Sequence, residues 1–312
     1  MNPLLTSVSE LSDLAPDEVE EFFATGDPEL IVRLVDAASD QELRVLMAAA
    51  HIRDAAVRHV LNRLGEFALP ERLAEVNGVV EFVVDVPGGE PERHALVFDG
   101  HTVSVLEGVR PDADVTIETE VLDFVRLVSG GRNAAILLLG GRLRVAGDER
   151  LALAVGGVFQ VPGKPGVAVD PAEVDPEQVA DVIKQVKDAH LREIMSGGFR
   201  DIVLEQVFAR FPEFLDERKA AKHTLSVAFK ITGRPDGGAD RYVVRISEGA
   251  CRIEQHGEGR DATVTVAGGD FLKLVTGQLN PVTGVMRGTL KVRGDVTTAL
   301  TLQKIMRIPG RG

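Results

Sequence analysis

Histidine, cysteine and paired carboxylates are the side chains best able to carry chemistry at neutral pH, and their spacing in this chain offers little of it. The seven histidines, at 51, 59, 94, 101, 190, 223 and 256, form neither HxxH nor HExxH, the spacings that set two imidazoles on one helix face for a metal ion. No metal site and no cofactor are expected. The single cysteine, Cys251, stands in an alternating stretch with no histidine at a nucleophile spacing, so it reads as a small core residue. One cysteine also excludes an internal disulfide and a cysteine-based zinc site. There is no GxSxG elbow. The chain has 48 Asp and Glu, which an acidic helical surface accounts for, and choosing two of them for proton transfer is arbitrary. One recurrent stretch invites a phosphate reading: "GRLRVAGD", Gly141–Asp148, returns as "GTLKVRGD", Gly288–Asp295. Neither GxxxxGKS/T nor GxGxxG is present at a strand-to-helix junction, however. Leu143 and Val145 alternate with Arg142 and Arg144, as Leu290 and Val292 alternate with Lys291 and Arg293. The octapeptide therefore reads as a half-buried strand, a Gly turn and an Asp helix cap.

The elements around it repeat as well. At the same offset of 147 residues, "DFVRLVSG" (Asp123–Gly130) meets "DFLKLVTG" (Asp270–Gly277), and Val161, Pro162 and Gly163 meet Ile308, Pro309 and Gly310. "RDAAVRHVLNRLGEF" from Arg53 meets "RDIVLEQVFARFPEF" from Arg200. Identity pairs "DADVTI" from Asp112 with "DATVTV" from Asp261, two residues further apart, which implies an indel before the following helix. A unit of about 135 residues is of domain size and too long for a solenoid repeat, so each copy should own a core. The expected organisation is an N-terminal helical extension over 1–26, a first domain over 27–164, a linker over 165–174 and a second domain over 175–312.

Each copy opens with helices. Asp27, Pro28 and Glu29 supply an N-cap, a first-turn proline and an early acid, and Asp175, Pro176 and Glu177 repeat the signal. Ser39–Glu42 has capping-box spacing. A third helical pattern carries Ala56, Val57, Val60, Leu61 and Leu64, with Val203, Leu204, Val207, Phe208 and Phe211 in the second copy. The period then changes to two: "VVEFVVDV", "HALVFD", "HTVSVLEG" and "ADVTIET" read as strands joined by turns, three or four of them a meander, echoed by "TLSVAFKIT", "RYVVRIS", "ACRIEQH" and "ATVTVAG". A short helix over Asp123–Ser129, an apolar segment, a strand and a closing helix from Asp148 follow. The fold class is α+β: two tandem domains, each a roughly five-stranded, mainly antiparallel sheet covered on one face by helices.

Bulk properties narrow the function. A formal charge of −13 opposes nucleic-acid binding, which draws on clustered Lys and Arg, and disfavours attraction to anionic membranes. The N-terminus shows no basic n-region and no long apolar core of a secretory signal. "AAILLL", Ala134–Leu139, is the longest apolar run and far short of a membrane span. A cytoplasmic location is expected.

The order "DATVTV", "DFLKLVTGQLNP", "GTLKVRGD" and a closing apolar helix resembles the sterol carrier protein type 2 domain family. There a strand, a D-F-x-x-L-x-x-G helix, a G-x-L-x-x-x-G-D strand and a terminal helix follow one another. The resemblance covers nearly all of 175–311 and, in the first copy, about 27–164. It implies an apolar tunnel between sheet and helices that takes sterols, fatty acids, acyl thioesters or phospholipids. The first copy departs from the pattern at "NAAILLLGG", where the second has the more typical "NPVTGVMRGT".

Ligand pockets are apolar with few polar groups, which directs attention to the helices over the sheet. In the second copy the candidates are Phe271, Leu274, Val275, Val285, Met286, Leu300, Leu302, Ile305 and Met306. In the first they are Phe124, Leu127, Val128, Leu138, Leu139, Leu153 and Phe159. Each would look the same in a solid core. The expected partner is a hydrophobic small molecule, with no nucleic acid and no stable membrane insertion; oligomeric state stays open. The leading function is non-catalytic binding or transfer of such molecules, fatty acids, acyl thioesters and sterol-like or polyketide-like lipids among them. The alternative is a pathway-auxiliary enzyme that binds a hydrophobic intermediate and assists its cyclisation or isomerisation. In a third reading one copy serves as the structural half of a covalent pseudo-dimer.

Overall fold

The computed structural model describes residues 5–108, 110, 112–170, 173–257, 261–307 and 309. Residues 1–4 of the expected extension, 171–172 of the expected linker, and 258–260, 308 and 310–312 of the second copy lie outside the described residues. The chain divides into two compact units, Met1–Asp170 and Pro171–Gly312.

In the first unit five helices precede the sheet: α1 (Pro16–Thr25), α2 (Pro28–Ala37), α3 (Asp40–Ala48), α4 (Ala50–Arg63) and α5 (Pro70–Leu73). The strands are β1 (Asn77–Asp85), β2 (Glu92–Asp99), β3 (Val103–Glu107), β4 (Val115–Glu120) and β5 (Leu143–Gly147). Helices α6 (Val121–Val128) and α7 (Ala134–Leu139) stand before β5, and α8 (Glu149–Gly156) closes the unit. The second unit runs α9 (Pro176–Gln185), α10 (Asp188–Ile194), α11 (Arg200–Ala209), α12 (Glu217–Ala220), β6 (Leu225–Thr232), β7 (Ala239–Ser247), β8 (Ala250–Gln255) and β9 (Ala262–Ala267). It ends with α13 (Gly268–Val275), α14 (Pro281–Met286), β10 (Leu290–Gly294) and α15 (Val296–Ile305).

The helices start where their caps dictate. Asp27 and Asp175 accept from the amides of Glu29 and Glu177, and Ser39 forms the full capping box with Glu42. In α1, Val19, Phe22 and Phe23 are buried.

Each sheet has five strands in the same order, β3-β2-β1-β4-β5 and β8-β7-β6-β9-β10. The meander extends over three strands only. The fourth leaves it and pairs parallel with the first, Val80 opposite Val115 and Val227 opposite Ala262, while every other pairing is antiparallel. A parallel neighbour requires a crossover, and in the first unit a buried carboxylate holds it. Glu81, on the face of β1 opposite Val80 and Phe82, accepts from the Arg110 amide at 3.0 Å and from Arg93 Nη1 at 2.9 Å. Val80, Phe82, Val84, Leu96, Phe98, Val115 and Ile117 occupy the other face and join the helices in the core. Val227, Phe229, Ile231, Tyr242, Val244, Ile246 and Val264 do the same in the second unit.

The register corrects the repeat alignment. Asp114 rather than Asp112 corresponds to Asp261: Asp114 Oδ2 accepts from the Val79 amide at 2.8 Å and Asp261 Oδ2 from the Ser226 amide at 2.7 Å. The offset thus stays at 147 and no indel precedes the helix. In a period-two strand a slip of two residues leaves every side chain on its own face, so alternation cannot detect it.

The repeated octapeptide completes this corner. Gly147 and Gly294 have φ of +99° and +85°, and a Cβ on either would lie 2.3 or 2.4 Å from the carbonyl oxygen of Asp114 or Asp261. That close approach lets the next amide, of Asp148 or Asp295, donate to the same carbonyl at 2.9 Å. The two Asp side chains then cap α8 and α15. Past α8, the amides of Ala168 and Val169 donate to the carbonyls of Phe159 and Gly156, so this part of the expected linker is tied to the first unit.

Replacing Gly294 by Ala should destabilise the protein by about 2–3 kcal/mol through left-handed strain plus a backbone clash. Gly288→Ala, at φ +76° with nothing within 4 Å of the added methyl, should cost about 1 kcal/mol. Urea unfolding of both variants measures the difference.

Candidate functional site

Two arginines, Arg200 buried and Arg53 half-buried, join helix to sheet at equivalent places. Arg200 of α11, 3% exposed, donates from Nε to Asp240 at 2.6 Å, from Nη2 to the Ile231 carbonyl at 2.8 Å, and from Nη1 to the Met195 carbonyl. Arg53 of α4 donates from Nε to Glu92 Oε1 at 2.5 Å and from Nη1 to the Met47 carbonyl at 3.0 Å. Burial pushes the Asp240 carboxyl up, but the guanidiniums of Arg200 and Arg234 outweigh it and hold the group below the ordinary Asp value. Glu92 is held below the ordinary Glu value by the His94 imidazole 3.9 Å away, near but not hydrogen-bonded, and, against its burial, by the bonded Arg53 guanidinium.

Beyond the ion pairs the space between helices and sheet is apolar. In the second unit Phe271, Leu302 and Ile305 belong to the core, Leu274, Val275 and Met306 pack against it, and Leu300 is half-buried. Val285 and Met286 of α14 are instead 42% and 82% exposed, with Val282 and Val296 also exposed. In the first unit Phe124, Leu139 and Phe159 are buried, and Leu127, Val128, Leu138 and Leu153 are half-buried. The sequence candidates therefore gather on the helical layer except for the outer side of α14.

The packing of side chains between helices and sheet separates the two copies. In the second unit Phe208 stacks on Tyr242, Phe211 and Phe271 at centroid distances of 4.0, 5.0 and 5.2 Å. Phe229 meets Phe208, Phe211 and Phe271 edge-on. The corresponding residues of the first unit are Leu61, Leu64, Phe82, His94 and Phe124, with one ring contact, Phe82 to Phe124 at 6.0 Å. At the opposite end the bulk is reversed: Phe98 and Phe159 lie 6.1 Å apart in the first unit where the second has Ile246 and Met306.

His94 is the polar member of this set. It stands opposite Phe82 in the antiparallel pair, hence on the core face, with its side chain 14% exposed. Both ring nitrogens are shielded from solvent and have no hydrogen-bond partner among the described residues. Glu92 Oε2 is 3.9 Å from Nε2, beyond hydrogen-bond reach. The signal for it in the sequence was the exchange of His for Tyr between "HALVFD" and "RYVVRIS".

The pattern of the SCP-2 sterol transfer family matches residues 58–160 and 204–307. The chain belongs to that family. It carries the sterol-transfer domain twice, as two α+β units. Human sterol carrier protein 2 is 34% identical over 117 residues, 37% of this chain and 21% of the human protein. Hydroxysteroid dehydrogenase-like protein 2 of Xenopus tropicalis is 26% identical over 103 residues, 33% of this chain and 24% of that protein. The chain thus spans about a quarter or less of the length of these relatives. The crystal structure of sterol carrier protein 2 like 2 from Aedes aegypti, 20% identical, aligns with 34% of this chain and 95% of its own at a TM-score of 0.28.

Other chemistry is sparse in this family member. Among the described residues no group of three or more His, Cys, Asp or Glu is placed to hold a metal ion, and no helix is long and apolar enough to cross a membrane. Cys251 is half-buried on β8 against the second core, and burial pushes its thiol up to about 11.

Alkylation of Cys251 in the native protein should therefore climb about tenfold per pH unit from neutrality toward pH 11; iodoacetamide labelling followed by mass spectrometry reads it. Because the folded Asp240 carboxyl is held low, its contribution to stability is complete above the ordinary value of about 4 and is lost as pH falls below it, through the lowered folded value. Asp240→Asn should flatten the stability profile below about pH 4, measured by denaturant unfolding. Arg200→Met, which leaves Asp240 buried without its main partner, should cost about 3–5 kcal/mol at neutral pH.

Proposed function

We propose that the chain binds or transfers hydrophobic small molecules without transforming them, holding them in apolar space between each sheet and its helices. The observation that carries this reading is the apolar layer between sheet and helices in both units, interrupted by the Arg53–Glu92 and Arg200–Asp240 pairs and by His94. Family membership supports it. The guests are of the fatty acid, acyl thioester, sterol-like or polyketide-like class, and the half-buried residues Leu127, Val128, Leu138, Leu274 and Val275 of the helices, with Met306 just past the last of them, are the first contacts. Met306 suits irregular guests because its thioether chain adapts. The work is done in the cell interior, by a protein that engages neither nucleic acid nor the bilayer as a stable span.

One observation favours the alternative. Glu92 and His94 face the interior of the first unit side by side, and an imidazole beside a carboxylate can relay a proton to a bound intermediate. A carrier returns its guest unchanged, whereas an auxiliary enzyme returns an isomer or a ring-closed product.

Denaturing extraction of the purified protein should release a lipid identifiable by mass spectrometry, and native mass spectrometry should give its stoichiometry. A protein that comes out empty and also fails to bind fluorescent fatty acids, acyl thioesters and sterols overturns the proposal. A guest recovered with altered structure replaces it with the enzymatic reading.

A further inference from the structure

The two units differ most around His94. In the second unit the equivalent Tyr242 is satisfied: its ring lies 4.0 Å from that of Phe208 and its hydroxyl accepts from Gln255 Nε2 at 3.2 Å. In the first unit an imidazole with two buried, unpartnered nitrogens faces the interior. Leu61 stands where Phe208 stacks on Tyr242 in the second unit, and Leu64 where Phe211 stands, so smaller side chains take the place of rings near a donor and an acceptor that make no hydrogen bond within the protein. Leaving such a pair unmet is unfavourable, and a ligand that meets it recovers the loss.

We propose that His94 is the polar anchor of a ligand site in the first unit, one that takes an apolar molecule bearing a neutral hydroxyl head in preference to the same molecule ending in a carboxylate. The assignment rests on the binding reading above and adds its head-group selectivity. A hydroxyl can donate to one imidazole nitrogen or accept from the other. A carboxylate seated there brings its charge beside Glu92, 3.9 Å from Nε2, where screening by water is poor. Arg53 relieves that repulsion only in part, because its single positive charge is shared between two carboxylates, Glu92 and Asp54. Its Nε is committed to Glu92, its Nη1 to the Met47 carbonyl, and its Nη2 lies 3.3 Å from Asp54. The second unit, with Tyr242 in place of the imidazole, has no such anchor and takes its guests by shape.

The test is equilibrium dialysis of the full, delipidated chain against radiolabelled hexadecanol and, separately, palmitate. Wild-type protein should bind hexadecanol about tenfold more tightly than palmitate at one site. His94→Leu should reduce that preference to within about threefold; His94→Gln, which keeps a donor and an acceptor, and Tyr242→Phe should both retain it. Independently of any folding defect in His94→Leu, the ring-nitrogen NMR signals of His94, assigned by their loss in His94→Gln, should move when hexadecanol is added. Palmitate binding as tight as hexadecanol, a preference untouched by His94→Leu, or an unmoved His94 signal overturns the anchor while leaving general lipid binding in place. If neither probe binds, the binding reading itself fails and the anchor with it.

Discussion

A guanidinium drawn into the protein interior is tolerable only when each of its donors finds an oxygen, and this demand fixes the frame on which both units are built. Arg53 and Arg200 leave a helix, cross the apolar layer and end on a strand carboxylate, with further bonds to backbone carbonyls. The helix can then neither slide nor lift without stranding a charge in a poorly solvated place. The separation of helix and sheet is set by the reach of one side chain. A second constraint acts at the far corner, where the side chains of Asp114 and Asp261 tie together the starts of two parallel strands and their carbonyls hold the end of a third, a contact the adjoining glycine permits. Between these two anchorages the interior residues vary in size and, at His94 and Tyr242, in polarity.

They do vary, and in opposite directions. The second unit concentrates five rings near its buried arginine, and the first places Phe98 and Phe159 near its closing helix. Rings carry large contact area and prefer stacked or edge-on geometry, so each cluster stiffens one end of its unit. At the opposite end the second unit has Ile246 and Met306, and the first has Leu61, Leu64 and His94 beside the one ring pair Phe82–Phe124, which leaves more freedom to rearrange. Two copies with one topology thus present interiors of unlike shape and polarity to any guest.

Much of this was legible in residues whose local chemistry settles their conformation. Asp27, Asp175, Ser39 with Glu42, Asp148 and Asp295 announce helix starts, and they cap those helices in the structure. The strand reading of Leu143 and Val145 followed from alternation and holds, because β5 is buried on one side only. What stayed hidden depends on pairing across the chain. Alternation cannot distinguish Asp112 from Asp114 as the partner of Asp261, since the slip preserves the faces. Nor can it show β4 leaving the meander, because the crossover depends on which strand edge is free. The repeated Arg-Asp of α4 and α11 was visible, but its carboxylate partner lies about forty residues away and meets it only when β2 and β7 are laid against the helix. His94 was one histidine of seven until the register set it opposite Phe82. For the candidate lining the helical layer was readable as a layer, while the outward turn of Val285 and Met286 was not, because a six-residue helix is too short for a face to be read from its period.

The opposite placement of the rings also bears on how such a protein changes over generations. The residues that preserve the frame, an arginine with its carboxylate and a glycine with its aspartate, are separate from those that distinguish the two interiors, and each half carries its own full set. Within each half the rings can therefore be exchanged while its own arginine and glycine anchorages keep the strand order, so the interior is the part of the frame most open to change.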